Sequence, residues 1–461
     1  MLTSIKNAIF YHIYPLGFCG VINNRKSISS ASGFNKFDDK WINHLKNMGI
    51  NAIYFGPIFQ SSYHGYDTID YLKIDERLGT NSDFKNIVSK LHANNIRVII
   101  DGVFNHVGRE FWAFVDVKNN KSNSQYSSWF NIDFNGNSNY NDGFYYEGWE
   151  GHYDLVKLNL YNKDVKCYLL HVVEEWINEF DIDGIRLDVA YLLDKDFIKE
   201  LRFTTNKLKN DFWLMGEMIH GDYNSIVSPE MLHSATNYEL YKGLYSSHND
   251  KNYFEIAYSL NRQFGEYGIY KNLTLYNFVD NHDVNRIATI INDKRYLKNI
   301  YTLLFTIPGI PSIYYGSEWG IEGDRSITDL NLRPELSIDD FYNNEKSKNL
   351  EDFITGLITI RKNNKELTLG IYKEFVVKNK QFAFGRYLND NWIIILLNLD
   401  DKEESIELNA PFKNSTITNL LDENNKYINE NNKMIIKMEP FSSKILKAII
   451  VQKYLNNFTT E

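Results

Sequence analysis

Eight short runs of apolar and β-branched residues recur along most of the chain, and segments of helical periodicity separate them. Repeated strand–helix units of this kind predict a parallel sheet. Eight strands are the number that closes a (β/α)8 barrel, so we predict an α/β fold of the TIM-barrel class. The eight predicted strands begin near Ala8, Asn51, Ile96, Gly184, Phe212, Ala235, Leu275 and Ile310.

Helices are expected between these strands, for example over residues 37–48 and 82–93. Short polar side chains at a helix start accept hydrogen bonds from free backbone N–H groups. We therefore predict that Ser82 or Asp83 caps the second of these helices.

Two parts of the chain depart from the strand–helix alternation. From Val107 to about Lys157 the sequence has no strong period and is rich in Asn, Ser, Gly and aromatic residues. From about Gly370, six short alternating strands with polar turns predict an antiparallel β-sandwich. They are EFVVKN, QFAFGRYL, WIIILLNL, ESIELN, KMIIKME and SKILKAII. We therefore divide the chain into a catalytic barrel (1–106 and 158–365), an inserted domain after the third strand (107–157) and a C-terminal domain (366–461).

The bulk composition excludes several classes of protein. The formal net charge is -9, whereas nucleic-acid binding calls for clustered Lys and Arg. No apolar stretch reaches the roughly 18 residues of a membrane span. The two cysteines form no disulfide framework, and the N-terminus lacks the apolar run of a secretory signal. We expect a cytoplasmic protein without a nucleic-acid or membrane partner.

Four segments place an acidic residue where a barrel strand ends. They are DGVFNH (101–106), GIRLDVA (184–190), GEMIH (216–220) and FVDNHD (278–283). The last three offer the carboxylates Asp188, Glu217 and Asp283. A parallel barrel brings the ends of its strands to one face. Hydrolysis of a glycosidic bond requires two carboxyl groups, one ionised and one protonated, so these segments predict a sugar hydrolase.

The order and wording of these segments resemble the α-amylase family of glycoside hydrolases, and the resemblance covers nearly the whole chain. Arg186, two residues before Asp188, and His282, just before Asp283, strengthen it. The family has a TIM barrel, a small domain after the third strand and a C-terminal β-sandwich.

The resemblance assigns roles to the three carboxylates. Asp188 matches the family's nucleophile, Glu217 its general acid/base, and Asp283 the residue that holds the 2- and 3-hydroxyls of the sugar. Two successive inversions retain the α configuration. Arg186 is expected to keep Asp188 ionised, and Asp101 to support the arginine.

Further residues match positions that bind the sugar. His106 and His282 match histidines that hydrogen-bond the ring, and Tyr66, in HGYDTIDY, matches a tyrosine that stacks beneath it. Asp329 and Arg333, in DLNLRPEL, match a pair that shapes the same subsite. A surface ion pair is the alternative for these last two.

Within the family, three segments resemble the neopullulanase, cyclomaltodextrinase and maltogenic amylase group. They are HGYDTIDY, GEMIH and LVKLNLYN (155–162), although Val156 replaces a proline and Ile219 a tryptophan. Because the first strand starts near Ala8, we expect this chain to lack the group's N-terminal β-domain. A more open cleft then favours linear chains.

Calcium is not favoured, and no cofactor is expected. Asn105 matches a calcium ligand of typical α-amylases, and its oxygen is a suitable hard donor. Those enzymes also have a Lys-His pair shortly after the nucleophile, where this chain has Val189-Ala190-Tyr191-Leu192. Asn105 is therefore expected to fix its loop by hydrogen bonds.

The function expected is retaining hydrolysis of α-1,4-glucosidic bonds in maltooligosaccharides or cyclodextrins. The alternatives are an α-1,6-glucosidase, a transglycosylase, or a catalytically inactive carbohydrate-binding relative. The presence of all three carboxylates, Arg186 and both histidines argues against the inactive relative. The oligomeric state is left open.

Overall fold

The computed structural model describes residues 4–22, 33–341, 344–411, 415–429 and 433–450. Its central element is an eight-stranded sheet. The strands are β1 (Phe10–Ile13), β2 (Ala52–Phe55), β3 (Arg97–Gly102), β4 (Gly184–Leu187), β5 (Trp213–Gly216), β6 (Ser234–Ala235), β7 (Tyr276–Phe278) and β8 (Ile310–Tyr314). They pair in the order β6-β5-β4-β3-β2-β1-β8-β7.

Every pairing within this sheet is parallel, and the sheet closes on itself. A parallel bridge joins Thr236, just after β6, to Tyr276 in β7. Each of the eight strands is buried along its length, as expected for parallel strands that are covered on both faces. The predicted (β/α)8 barrel is therefore confirmed, including the two-residue sixth strand.

Helices alternate with the barrel strands along the sequence. The α-helices are Pro15–Phe18, Asp39–Met48, Asn81–Ala93, Trp112–Asn120, Lys163–Phe180, Lys195–Leu208, Tyr238–Asn249, Phe254–Phe264, Ile287–Ile290, Leu297–Thr306, Asp329–Leu332, Glu345–Asn363 and Lys365–Leu369. In Lys163–Phe180 the buried side chains recur at helical spacing, from Val165 through Leu169 to Trp176. Such an apolar stripe gives a helix one face to bury.

The predicted cap of the third of these helices is wrong by two or three residues. Thr80, and not Ser82 or Asp83, is the N-cap: its side chain accepts a hydrogen bond from the backbone N–H of Asp83. The side chain of Asp83 in turn accepts from the backbone N–H of Thr80 at 2.8 Å. This reciprocal pair is a capping box, which moves the helix start one residue upstream of the prediction.

The segment after β3 forms short antiparallel pairs around one helix, Trp112–Asn120. His106–Gly108 and Gly148–Trp149 both pair with His152–Lys157, and Ile132–Asp133 pairs with Tyr145–Tyr146. The ring of Phe114 packs against Phe130, Phe144 and Tyr146, which are all buried. Part of the segment's aromatic content therefore forms its own core.

A second antiparallel pair follows β2. Phe59–Ser61 pairs with Thr68–Ile74, and the turn between them carries Tyr66. Arg77 fixes this turn, because its guanidinium donates to the backbone oxygen of Tyr63 at 2.7 Å and to Asp75.

The C-terminal strands form two packed sheets. They are β9 (Ile371–Val377), β10 (Gln381–Leu388), β11 (Asn391–Asn398), β12 (Glu404–Asn409), β13 (Ser415–Asn419), β14 (Asp422–Asn429), β15 (Lys433–Met438) and β16 (Ser443–Ile450). One sheet has the order β9-β10-β11-β16-β13-β14, and β12 pairs with β15. Ile394 and Leu396 from the first sheet share one buried cluster with Ile406 and Ile436 from the second. The predicted sandwich is confirmed, with β13 and β14 as two additional strands.

The described residues pack into two compact units. The first takes its residues from 1–238, 273–289 and 309–351, and the second from 239–272, 290–308 and 352–461. All eight barrel strands belong to the first unit, and strands β9–β16 belong to the second. The boundaries at 106/107, 157/158 and 365/366 remain predictions. No helix in the described part of the chain is both long and apolar enough to cross a membrane.

The capping box gives a first prediction. Replacing Thr80 by alanine removes the side-chain oxygen that satisfies a backbone N–H, so we expect the helix to lose about 1 kcal/mol of stability. Hydrogen exchange of the first-turn amides of Asn81–Ala93 should become faster. Ser82→Ala is the matched control, and an equal effect of that change would contradict the assignment of the cap.

Candidate active site

The carboxyl ends of four barrel strands carry the polar residues that the sequence singled out. Asp101 lies within β3 and Arg186 within β4, Asp188 and Glu217 directly follow β4 and β5, and Asp283 lies a few residues after β7. Because the strands are parallel, these ends lie at one face of the barrel.

The guanidinium of Arg186 lies at the centre of this cluster. Its Nη1 donates to Oδ1 of Asp101 at 2.8 Å and to Oδ1 of Asp188 at 2.9 Å. Its Nη2 lies 2.7 Å from Oε1 of Glu217. All four side chains are buried, so one cation pairs with three carboxyl groups away from water. Asp188 and Glu217 are thereby held side by side on the two terminal nitrogens of one arginine.

The charges of this cluster shift the pKa values of its members. Burial acts to lower the pKa of Arg186, but the carboxylates of Asp101 and Glu217 outweigh it and raise the pKa well above its usual value. Burial raises the pKa of Asp188 well above its usual value, Arg186 opposes this, and the carboxylates of Glu217 and Asp101 add to it. Two carboxyl groups that share a dry site favour a state with one proton between them.

The turn after β4 is strained and positions Glu217. Val189 adopts a φ of 39°, which is unusual for a β-branched residue. In this conformation its backbone N–H donates to Oε2 of Glu217 at 3.0 Å. The hydroxyl of Tyr238 donates to Oε1 at 3.4 Å, and the amide of Asn281 donates to that hydroxyl at 3.0 Å. Backbone strain of about 1–3 kcal/mol is tolerated at functional sites that require an unusual φ.

Two side chains, the imidazole of His282 and the guanidinium of Arg333, pair with Asp283. Its Oδ2 lies 2.9 Å from Nε2 of His282, and its Oδ1 accepts from Nη2 of Arg333 at 3.1 Å. Burial acts to raise the pKa of Asp283, but His282, Arg333 and Arg186 outweigh it and hold the pKa well below its usual range. Asp283 is therefore ionised at neutral pH, and about a third of its side chain (34%) is exposed.

His106 is uncharged and directed towards Asp188. Burial, with the nearby His64, lowers the pKa of His106 to about 3. The amide nitrogen of Asn105 lies 3.1 Å from Nδ1 of His106, which fits an N–H that donates to an unprotonated Nδ1. Nε2 then carries the proton, lies 4.0 Å from Oδ2 of Asp188 and has no hydrogen-bond partner among the described residues.

Tyr66 lies against the same group of side chains. Its hydroxyl donates to Oδ2 of Asp101 at 3.1 Å and contacts Nε2 of His282. Its ring stacks on that of His282, with centroids 5.5 Å apart and an angle of 10° between the planes. The geometry thus brings together eight of the nine residues chosen from the sequence: Asp188, Glu217, Asp283, Tyr66, His106, Arg186, His282 and Arg333.

Asp329 is the exception. Its carboxylate pairs with Arg325 at 3.2 Å, and both side chains are at least half exposed. None of its described contacts reaches the buried carboxylates. Arg325 also donates to the backbone oxygen of Asp283 at 2.8 Å, so Asp329 is one side chain removed from the cluster. An exposed ion pair, the alternative to a role in shaping the subsite, therefore fits Asp329 better.

Several residues at the site were not predicted. Tyr14 stacks on His282. The guanidinium of Arg333 lies over the ring of Tyr14, 4.5 Å from the ring centroid. Tyr238 reaches Glu217, and Tyr54 donates to Asp101 at 2.8 Å. Tyr54 lies in a barrel strand, Tyr14 directly follows one, and Tyr238 lies three residues after another. A position near a strand end therefore also marks tyrosines of the site.

Asn105 is engaged in hydrogen bonds that fix its loop. Beside its contact with His106, its backbone oxygen accepts from the N–H of Leu158 at 2.9 Å. Within the described ranges, no three His, Cys, Asp or Glu residues are grouped as a metal site would require. The expectation that no metal takes part remains a prediction.

A parallel barrel that presents two adjacent carboxyl groups and a third, ionised one at its C-terminal face has the parts of a glycoside hydrolase. A model of the alpha-amylase catalytic domain matches residues 39–365. The chain belongs to the alpha-amylase family of glycoside hydrolases, as its motifs predicted.

Its relatives include the group that the sequence resembles. It is 35% identical over 373 residues to a cyclomaltodextrinase of Thermoanaerobacter pseudethanolicus, covering 80% of this chain and 64% of that one. It is 30% identical over 430 residues to an intracellular maltogenic amylase of Bacillus subtilis, covering 88% and 70%. The chain thus spans somewhat less than two thirds of the length of the first relative.

Solved structures agree with the fold. A cyclomaltodextrinase superposes with a TM-score of 0.86 at 27% identity, over 96% of this chain and 78% of that one. A debranching enzyme of Nostoc punctiforme superposes with a TM-score of 0.79 at 27% identity, over 96% and 98%.

Arg186 gives a second prediction. Replacing it by methionine leaves three buried carboxyl groups without their cation, and we expect a loss of about 3–5 kcal/mol in the free energy of unfolding at pH 7. The pKa of Asp188 is already raised by burial, so this group takes up a proton as the pH falls, and the loss should shrink towards pH 5.

The measurement is urea unfolding at several pH values. Arg325→Met is the matched control, because the exposed Arg325–Asp329 pair should contribute less than about 1 kcal/mol. Equal losses in the two variants, or a loss that grows at acid pH, would contradict this view of the cluster.

Proposed function

We propose that this chain is a retaining hydrolase that cleaves α-1,4-glucosidic bonds of maltooligosaccharides or cyclodextrins by double displacement. The observation that carries the proposal is the bridging of Asp188 and Glu217 by the two terminal nitrogens of Arg186. Retaining enzymes need their two carboxyl groups only about 5–5.5 Å apart, whereas inverting enzymes leave room for a water between them.

The first step begins from the state in which the proton shared by the two carboxyl groups is on Glu217 and Asp188 is a carboxylate. Asp188 then attacks the anomeric carbon. Its Oδ1 is held by Arg186, whereas the partner described for Oδ2 is Nε2 of His106, at 4.0 Å, so we take Oδ2 as the attacking atom. Glu217 gives its proton to the glycosidic oxygen as the C–O bond breaks. The products are a covalent glycosyl-enzyme on Asp188 and a shortened glucan that departs.

In the second step, Glu217 acts as a base. It takes a proton from a water molecule, which attacks the anomeric carbon and releases Asp188 as a carboxylate. Glu217 regains its proton, so both groups return to their starting states. Two inversions at one carbon retain the α configuration.

The surrounding residues hold the sugar in this scheme. Asp283, ionised and partly exposed, accepts hydrogen bonds from the 2- and 3-hydroxyls, and Arg333 keeps it in place. His106 donates from Nε2 to a hydroxyl of the same ring. His282 takes part in sugar binding through Asp283, because its Nε2 holds that carboxylate in place. Tyr66 offers the face of its phenol ring to the sugar. Asp329 is proposed to act only indirectly, by holding Arg325 against the backbone of Asp283.

The names of the relatives support the substrate class. They are called cyclomaltodextrinase, maltogenic amylase and neopullulanase. We propose a cytoplasmic location from the amino-acid composition. The name of the Bacillus subtilis relative also includes the word intracellular. No cofactor takes part in the proposed steps.

Cleavage of α-1,6 bonds is a second candidate. The observation that favours it is the likeness to the Nostoc punctiforme debranching enzyme, which this chain covers almost end to end. Both candidates use the same carboxylates, so they differ in substrate and not in mechanism.

The nucleophile gives a third prediction. Asp188→Ala should lower kcat on maltoheptaose by more than a thousandfold without unfolding the protein, because no other group can form the covalent intermediate. Product formation followed by chromatography is the measurement. Asp196→Ala, at an exposed aspartate paired with Lys199, is the control and should retain full activity. A variant of Asp188 with a tenth of the original activity would refute its role.

The general acid gives a fourth prediction. Glu217→Gln should lose far more activity on maltotriose than on an aryl maltoside with an activated leaving group, because such a group departs without a proton. The ratio of kcat/KM for the two substrates is the measurement. Equal losses on both would show that Glu217 does not protonate the leaving oxygen.

The choice of substrate is tested by rates on maltoheptaose, β-cyclodextrin and pullulan. We expect maltoheptaose or β-cyclodextrin to be cleaved fastest, at α-1,4 bonds. Exclusive release of maltotriose from pullulan, with intact maltoheptaose, would favour the α-1,6 candidate.

A further inference from the structure

His12 is a buried histidine of β1 that the proposed reaction does not use. Only 3% of it is exposed. Its ring stacks on Tyr54, with centroids 4.3 Å apart and 27° between the planes, and lies tilted against Tyr314 at 4.9 Å. These neighbours belong to the adjacent strands β2 and β8, so the backbone of the barrel fixes the position of His12.

His282 is enclosed by rings on both faces. Tyr66 stacks at 5.5 Å and 10°, and Tyr14 stacks at 5.7 Å and 18°. With its faces covered, His282 has only its edge left for other contacts. His12 meets it there: the centroids of the two imidazoles lie 5.1 Å apart with planes at 88°.

Each of these imidazoles has one buried nitrogen without a hydrogen-bond partner among the described residues. They are Nε2 of His12 and Nδ1 of His282. The other nitrogen of His282, Nε2, is engaged by Asp283 at 2.9 Å and by Tyr66. Buried polar atoms rarely stay unsatisfied, and an ordered water commonly supplies the missing bonds.

We propose that His12 is a positioning residue that holds His282 by its edge and supplies, across one ordered water, the hydrogen bond that Nδ1 of His282 needs. The proposal rests on the proposed function, since there His282 and Asp283 hold the sugar. His12 touches neither the sugar nor the reacting atoms.

The chemistry of the two rings suits this arrangement. Burial lowers the pKa of His12 well below its usual value, so its ring is neutral. A neutral His12 donates from Nε2 to the water, and the water donates to Nδ1 of His282. Nε2 of His282 is then the protonated nitrogen and donates towards Asp283, which keeps that carboxylate in place for the sugar hydroxyls.

A double-mutant cycle separates this role from a structural one. His12→Phe keeps a ring in place but removes the nitrogen, and we expect kcat/KM on maltoheptaose to fall about tenfold. The same change in a His282→Asn background should have less than a twofold effect, because its target is gone. Equal losses in both backgrounds, or no loss in the first, would overturn the proposal.

A conservative variant and a remote control complete the kinetic test. His12→Gln restores a buried donor and should recover kcat/KM to within about threefold. A glutamine variant as poor as the phenylalanine one would overturn the polar role. His248→Phe removes another buried histidine, whose described hydrogen bonds are to Leu244, Ser247 and Tyr253, and should leave kcat/KM unchanged.

A crystal structure of the full chain tests the geometry independently of activity. We expect one ordered water within hydrogen-bond distance of both nitrogens, and its loss with rotation of His282 in His12→Phe. A different partner on Nδ1, or an unmoved His282 in the variant, would overturn the proposal. Absence of turnover on every α-glucan would instead refute the proposed function, and the crystallographic result would still stand.

Discussion

The pairing of one guanidinium with three buried carboxyl groups is the interaction on which the active site depends. Arg186 contacts Asp101, Asp188 and Glu217 at 2.7–2.9 Å. Without a cation, carboxylates in a dry site repel one another and become protonated. With it, Asp188 and Glu217 lie together as an acid–nucleophile pair requires, and the closed parallel barrel fixes the strand ends from which all four side chains project.

Most of the fold follows from the sequence, because its signals are local. Each barrel strand is a short apolar run, and even the two-residue β6 begins at the predicted place. Errors occur where local signals compete. Thr80, Ser82 and Asp83 are all suitable caps, and only the hydrogen bonds of the folded chain select Thr80. Strands β13 and β14 were not predicted, because polar residues alternate weakly in STITN and DENNKYIN. Their structure depends on pairing, of β13 with β16 and of β14 with β13.

The charged residues of the site and the motif residues Tyr66, His106 and His282 were predictable, but the other aromatic residues and the backbone conformation were not. A carboxylate at a strand end has few structural reasons to be there, whereas a tyrosine or histidine such as Tyr14 or His12 has many. The positive φ of Val189, which aims its N–H at Glu217, has no sequence signal in a β-branched residue. Asp329 illustrates the opposite error, since a motif match does not reveal that its partner is the exposed Arg325.

The anomeric configuration of the first product tests the central claim, that Asp188 acts as the nucleophile and Glu217 as the acid at the same glycosidic bond. Proton NMR during hydrolysis of maltotriose distinguishes the α and β anomers of the newly formed reducing end before they equilibrate. We expect the α anomer to appear first, because two inversions restore the original configuration. Initial appearance of the β anomer would mean direct attack by water, and would contradict the assignment of Asp188 as the nucleophile.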